Sequence, residues 1–346
     1  MTDVRARILR RGLRITGGLL LRLLTRARIE GREYIDTPGP VIYAGNHMST
    51  FDALLILVLL PTDTVFVGPG DFKLLWPGEW VVRHAGIIRM KRGAVDREGL
   101  KRLMEALKAG GRLAMFPDGG TWEKPIDDVK SGVSYLSQAT GARIVPMAFG
   151  GTYQVWKRMF RLRFPRVTVR FGPPQPPVSV SADRKRRQDE LQAAAVALMR
   201  ELYAMLPPDT QARYDLLARQ QYRGRLAFRP DSIPPPDVSL DALAEMVVKP
   251  NLFSPLYWNA RLPVRPFARY GRYVPARRMK IAADALQRAF TGGDFGNFLE
   301  YRLGDAKAAE IRAALAAISA AMDDAEARGA QVAFMPMVTE RAGDDQ

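Results

Sequence analysis

Between Val41 and Phe171 the chain alternates short β-type apolar runs with stretches of helical period, and this alternation constrains the fold more than any other feature. Residues 41–45, 64–68, 86–90, 112–116, 143–149 and 167–171 read as strands. Residues 51–60, 72–83, 95–109 and 132–140 read as helices, the third stopped by Gly110-Gly111. Strands and helices in this order predict an α/β domain: a mixed, largely parallel sheet flanked by helices. Sheets of that kind gather chemistry at the carboxyl ends of their strands, where His47 and Asp118 both stand.

Beyond this domain, Gly172-Pro173-Pro174-Gln175-Pro176-Pro177 is too proline-rich for the interior of a sheet or helix and reads as an extended connector. A helix over 184–206 follows and ends at Pro207-Pro208. The remainder contains a proline cluster at 234–236, a helix over 305–328 closed by Gly329, and a strand-like run at 332–335. The predicted organisation is therefore an amphipathic helix in 1–30, the α/β domain in 31–206 and an α-rich extension of unassigned role in 207–346.

The 346 residues include no cysteine, which excludes a disulfide framework, a thiolate metal site and a cysteine nucleophile. Two histidines in different contexts make no metal-ligand cluster, so no metal and no resident cofactor are expected. A formal charge of +16 points to a polyanionic partner, either nucleic acid or an anionic membrane surface. Its distribution favours the membrane and disfavours nucleic acid. Over residues 4–28, Ile8, Leu9, Leu13, Ile15, Leu19, Leu20, Leu23 and Leu24 fall on one broad side of a helical projection, and Arg7, Arg10, Arg11, Arg14, Arg22 and Arg28 on the other. This is the pattern of a helix lying in a membrane interface, with arginines at the lipid phosphates. The alternative is an amphipathic helix packed on its own domain with a solvated basic face. The arginines interrupt any signal-peptide core, and no apolar run approaches the roughly 20 residues that span a bilayer. A further mixture of aromatics and arginines between Tyr257 and Arg278 suits single-stranded nucleic acid, a membrane interface or an ordinary surface.

His47 and Asp52 are the first candidates for chemistry. On one continuous helix, five residues would separate them by about 140°, so the pair meets only if His47 lies in the turn before the helix. Ser49 or Thr50 is then the N-cap, and Asp52, in the first turn, is favoured as an anion and can orient the imidazole as a general base. The competing reading makes Asp52 a cap and His47 a buried loop residue. Three further segments follow: Gly86-Ile87-Ile88-Arg89-Met90-Lys91-Arg92, Phe116-Pro117-Asp118-Gly119-Gly120-Thr121, and Val129-Lys130-Ser131-Gly132 leading to Ile144-Val145-Pro146. His84 reads as structural, and the apolar run 53–60 as a core helix, with lining of an acyl-chain route as the alternative.

Taken in order, these segments resemble the motif blocks of the glycerolipid acyltransferase family, which includes the 1-acylglycerol-3-phosphate acyltransferases. The resemblance covers roughly residues 28–173 and rests on His-x4-Asp accompanied by three other blocks. It implies that His47 is the base that deprotonates an acceptor hydroxyl as the oxygen attacks an acyl thioester, and that Asp52 orients it. It also implies that Arg92 holds the acceptor's phosphate, a group well matched by a guanidinium fork. Asp118 stands where the family has glutamate, Gly119 matches its glycine, Gly120 replaces its threonine, and Lys130, Gly132 and Pro146 match later positions. The family's arginine after Gly-Thr has no counterpart, and Lys124 is the nearest substitute. The oxyanion donors are either backbone N–H groups near Gly119-Gly120 or a base such as Lys91.

The expected activity is transfer of a fatty acyl group from acyl-CoA or acyl-ACP, as co-substrate, to a lysophosphatidic acid or related glycerolipid. The chain is expected as a peripheral, monotopic protein on anionic lipids at the cytoplasmic face. Acylation of another lysolipid or a glycolipid, or a non-catalytic membrane- or nucleic-acid-binding protein on this fold, are the alternatives.

Overall fold

A computed structural model describes residues 4–70, 74, 76–91, 93, 96–120, 125–292 and 295–340. These divide into two units. The first holds residues 4–70, 76–90 and 96–218, and the second holds the described residues from 219 onward together with Leu74, Lys91 and Gly93.

In chain order the first unit is α1 (Val4–Leu24), β1 (Arg26–Glu30), β2 (Val41–Gly45), α2 (Thr50–Leu59), β3 (Val65–Pro69), α3 (Gly78–His84), β4 (Ile88–Met90), α4 (Arg97–Lys108), β5 (Arg112–Met115), α5 (Gly132–Thr140), β6 (Arg143–Gly150), α6 (Val155–Met159), β7 (Arg166–Phe171), α7 (Arg184–Met205) and α8 (Pro208–Arg219). Its seven-stranded sheet has the order β1-β7-β6-β2-β5-β3-β4. Every neighbouring pair is parallel except β6 with β7, so the predicted mixed, largely parallel sheet flanked by helices is the architecture found.

β2 lies inside this sheet, and its alternation serves two cores at once. Val41 and Tyr43 face a cluster with Phe51, Leu55 and Phe149, while Ile42 and Ala44 face one with Leu103, Leu107 and Leu136. Burial on both faces is why this run reads as continuously apolar. Gln175, in the proline-rich connector, exchanges two backbone hydrogen bonds with Ile144 and so ties that extended segment to β6.

The N-terminal helix departs from expectation in three ways. It ends at Leu24, where the Thr25 hydroxyl donates to the Leu21 carbonyl, short of the 1–30 segment predicted. Arg26 to Glu30 instead form an edge strand parallel to β7, because Arg26-Ala27-Arg28-Ile29-Glu30 alternates polar and apolar residues with the period of a strand. Most consequential is Arg10, expected at the lipid phosphates with the other arginines. It is buried at 1% exposure, over the ring of Phe66. Its guanidinium donates to the carbonyls of Ala85 (2.6 Å), Thr62 (3.0 Å), Thr64 (2.6 Å) and Gly86 (3.1 Å). These are the free carbonyls of the loop before β3 and the turn before β4, and the five-donor fork suits them as a hydrophobic side chain cannot. Burial lowers the Arg10 pKa to about 10, which leaves it charged at neutral pH.

The other faces of α1 divide between the two readings. Ala6, Gly17 and Leu21 are buried against the domain, with Gly17 so close to Val58 that an added Cβ would lie 2.5 Å from its Cγ2. Ile8, Ile15, Leu19, Leu20 and Leu23 remain exposed. The helix therefore packs on its own domain through one narrow stripe and leaves a second apolar stripe uncovered.

The second unit comprises β8 (Gln220–Arg229), α9 (Asp241–Val248), α10 (Pro250–Ser254), α11 (Arg265–Ala268), β9 (Val274–Pro275), α12 (Ala276–Thr291), α13 (Phe298–Leu303), α14 (Asp305–Ala327) and β10 (Gln331–Glu340). It is α-rich and carries an antiparallel three-stranded sheet of order β8-β10-β9. The boundary falls at Ala218 rather than Leu206, since α8 belongs to the first unit. Within the aromatic and arginine-rich stretch, Phe267 is fully buried in this unit's core while Trp258 and Tyr270 are exposed, so the stretch is not one continuous surface. The predicted helices over 72–83 and 95–109 begin at Gly78 and Arg97, their expected first residues Phe72 and Val95 lying outside the described residues.

Replacing Arg10 by Met strands the four loop carbonyls. The expected cost in urea unfolding is about 3 kcal/mol, against under about 0.5 kcal/mol for the exposed Arg11→Met. Equal stabilities for the two variants would show that the Arg10 contacts carry no weight.

Candidate active site

Strand register brings the site together. β2 pairs with β5 through Ala44 opposite Met115 and with β6 through Gly45 opposite Met147. Continuing each strand beyond its last pair sets residue 47 at the level of 118 on one side and 149 on the other. The bonds seen there agree. The backbone N–H of His47 donates to Asp118 Oδ2 at 2.6 Å. Asn46 holds β6 through both backbone groups of one residue: its Oδ1 accepts from Phe149 N at 2.7 Å and its Nδ2 donates to the Phe149 carbonyl at 3.1 Å.

From that turn the chain enters α2 with Ser49 as N-cap and Asp52 in the capping-box position. Asp52 is fully buried, and one of its oxygens serves three donors. Oδ2 accepts from the backbone N–H groups of Met48 (2.8 Å) and Ser49 (2.8 Å) and lies 3.1 Å from His47 Nδ1. With Nδ1–H turned to a carboxylate, Nε2 is the ring nitrogen left with a lone pair. The imidazole is fixed in plane as well, stacked on Phe116 with ring centroids 3.9 Å apart and an interplanar angle of 8°. Capping and orientation of the imidazole, which the sequence left as competing readings of Asp52, thus coexist in one carboxylate.

The other predicted site residues are placed as follows. Asp118 is buried at 3% exposure and holds the His47 N–H. Gly119 and Gly120 follow with φ of 71° and 155°, a turn only glycine makes without strain, and Gly119 N donates to the Phe116 carbonyl. Lys130 is exposed just before α5, its backbone N–H bonded to the Pro117 carbonyl of the same turn. Lys91 is exposed and groups with the second unit. Arg92 and Lys124 lie outside the described residues. His84 is exposed, its Nδ1 2.8 Å from the Trp80 carbonyl one helical turn earlier.

Two residues escaped the sequence. Asn46 carried a signal, since a buried amide at the end of an apolar strand needs partners. Tyr214 carried none. It is buried in α8, and Asn46 Nδ2 donates to its hydroxyl at 3.3 Å, across 168 residues of chain. Burial first, and then the charge of Asp118, hold the Tyr214 phenol well above the ordinary tyrosine range, so it remains neutral.

Beside this turn lies an apolar cavity of about 410 Å³, walled by Leu20 and Leu24 of α1, Leu54, Leu55 and Val58 of α2, and Trp156 of α6. The run 53–60 is thus both core and cavity wall. Trp156 is held there by an indole N–H bond to Thr50 Oγ1 at 2.9 Å.

Residues 26–150 match the family model described as Acyltransferase. That segment is similar to the acyltransferase family over 125 residues. Over 166 residues the chain is 30% identical to the 1-acyl-sn-glycerol-3-phosphate acyltransferase of Limnanthes alba, covering 46% of this chain and 58% of that protein. Over 168 residues it is 32% identical to the protein of the same name from Cocos nucifera, covering 46% and 53%. The chain thus spans little more than half the length of these curated relatives. Among solved structures it is similar to the 1-acyl-sn-glycerophosphate (LPA) acyltransferase PlsC from Thermotoga maritima, with a TM-score of 0.42 and 21% identity over 59% of this chain and 84% of that one. The His47 turn, β5 and all of β6 lie inside the matched segment, whereas Tyr214 lies beyond it.

Replacing Tyr214 by Phe removes the hydroxyl that meets Asn46 and is expected to destabilise the protein by about 1 kcal/mol at pH 7. In the unfolded chain the phenol ionises near pH 10, while in the folded chain it resists, so wild-type stability from this group is lost as pH rises above about 10. The stability difference between wild type and Tyr214→Phe should therefore shrink above pH 10. A difference that grows there would contradict the neutral, buried phenol.

Proposed function

We propose that the chain transfers a fatty acyl group from a thioester of coenzyme A or acyl carrier protein to a free hydroxyl of a lysophosphatidic acid or closely related glycerolipid. The observation that carries this reading is His47 Nδ1 set 3.1 Å from a fully buried carboxylate that two backbone N–H groups hold in place. The acceptor hydroxyl gives its proton to His47 Nε2 as its oxygen attacks the thioester carbonyl. The tetrahedral intermediate then collapses, the carbon–sulfur bond breaks, and the proton passes from Nε2 to the departing thiolate. Asp52 stabilises the imidazolium that exists between those transfers. A thioester is activated enough for direct attack by a positioned hydroxyl, so no acyl-enzyme is required.

Lysophosphatidic acid is favoured as acceptor because it is what the names of the plant relatives imply. The apolar cavity beside α2 suits an acyl chain. Membrane association follows from the uncovered stripe Ile8, Ile15, Leu19, Leu20 and Leu23 on a helix that also bears Arg7, Arg11, Arg14 and Arg22, and from Phe160 and Leu162, exposed at 82% and 67%. Among the described residues no helix is long and apolar enough to cross a membrane.

In an assay with anionic vesicles, labelled acyl thioester and a panel of lysolipid and glycolipid acceptors, His47→Ala should lower kcat about 10²–10⁴-fold. The variant should still sediment with the vesicles, while Leu19→Glu combined with Leu23→Glu should lose sedimentation. Unchanged turnover in folded His47→Ala would refute the proposed base, and a preference for another acceptor would replace lysophosphatidic acid.

A further inference from the structure

A second cavity, of about 350 Å³, opens on the other side of the short helix α6 and is lined by Met48, Tyr153, Gln154, Arg158, Asp209 and Arg213 among others. Its chemistry is opposite to that of the apolar cavity. Arg158 is anchored by one guanidinium nitrogen to the carbonyls of Gly151 (2.6 Å) and Tyr153 (2.8 Å). Arg213 lies over the ring of Tyr153 at 4.2 Å from its centroid, and no acid pairs with it among the described residues. Asp209 is exposed on the same cavity, so two guanidinium groups face one carboxylate.

The cavity is joined to the catalytic turn from both sides. Met48 on its wall follows His47 and gives its N–H to Asp52. The Thr210 hydroxyl accepts from Gly151 N at 3.0 Å, which fixes the start of α8 on the turn after β6. One helical turn later, Arg213 points into the cavity while its neighbour Tyr214 meets Asn46. The aromatic platform and the two carbonyls hold both arginines in position before any ligand arrives, an arrangement suited to a phosphate group.

We infer that the Arg158–Arg213 cavity is a receptor for a phosphate group of one of the two reactants, either the acceptor's head group or the carrier portion of the thioester donor. The inference rests on the acyl-transfer reading for the identity of the ligand. It also answers a departure noted in the sequence, because the arginine that the family carries after Gly-Thr has no counterpart here. An amphiphile would set its chain and its phosphate on opposite sides of α6, whose Trp156 lines the apolar cavity and whose Arg158 lines the polar one.

The test compares wild type with Arg213→Gln, Arg213→Lys and Arg158→Gln, each first checked for an unchanged urea midpoint. Arg213→Gln, which loses no hydrogen bond within the described residues, serves if Arg158→Gln fails to fold. The expected result is a rise of about tenfold or more in one KM, with kcat within about threefold and Arg213→Lys intermediate. If the phosphate belongs to the acceptor, the difference between wild type and Arg213→Gln vanishes with a monoacylglycerol acceptor. If it belongs to the donor, it vanishes with an acyl-pantetheine donor. Both KM values unchanged within twofold would overturn the inference. Inorganic phosphate provides an arm independent of turnover: it should raise the melting temperature of wild type more than that of Arg213→Gln. If wild type transfers no acyl group, the proposed reaction fails, and this phosphate titration alone decides whether the cavity binds phosphate.

Discussion

The site depends on one oxygen atom. Asp52 Oδ2 gathers the Nδ1 of His47 and the backbone N–H groups of Met48 and Ser49, and this convergence converts the end of a strand and the start of a helix into a rigid turn. The same carboxylate caps α2 and orients an imidazole. Asp118 completes the arrangement from the neighbouring strand by taking the His47 N–H, so that two carboxylates fix the backbone and the ring of one histidine. Asn46 and Tyr214 fasten the turn to β6 and α8. Under the proposed reaction a general base must hold its lone pair steady at a reacting proton, and every contact on this turn restricts its motion.

The local part of this design was legible in the sequence. The strand run ending at Gly45, the capping residue Ser49 and the acid three positions later define strand, turn and helix with nearest-neighbour chemistry alone. β2 and α5 begin and end where periodicity and flanking glycines put them. The edge strand β1 was missed because it follows an amphipathic helix without a turn signal, so the helical segment was carried six residues too far. Arg10 was misassigned because a helical projection reports which side a residue occupies and not what lies opposite. Its partners, between 52 and 76 residues away, are bare carbonyls that no residue type announces. Tyr214 is hidden for the same reason, since its bond to Asn46 crosses 168 residues. For Arg10 and Tyr214 the missing information was tertiary, and both residues serve to lock elements together.

The two faces of α6 give the first unit an amphiphilic character at the scale of a lipid. On one side Trp156 joins α1 and α2 around an apolar cavity, and on the other Arg158 joins α8 around a cationic one. α1 takes part in both packing and exposure: Arg10 and Gly17 clamp it to the domain, and its uncovered leucines continue the apolar surface outward. Under the proposed reaction, a helix held this firmly would keep the bilayer surface at a fixed height from the catalytic turn, because a rigid anchor transmits position where a tethered one transmits only proximity.

The most direct measurement of the central claim is the tautomer of His47. The chain has only two histidines, and His84→Gln removes the exposed one, leaving a single imidazole to observe. In a ¹⁵N-histidine-labelled sample above the pH at which the ring is protonated, Nδ1 should carry the hydrogen and Nε2 should show the chemical shift of an unprotonated nitrogen. Asp52→Asn should weaken that preference. A neutral His47 with its hydrogen on Nε2 would contradict the account, because the nitrogen assigned to take the acceptor's proton would already hold one.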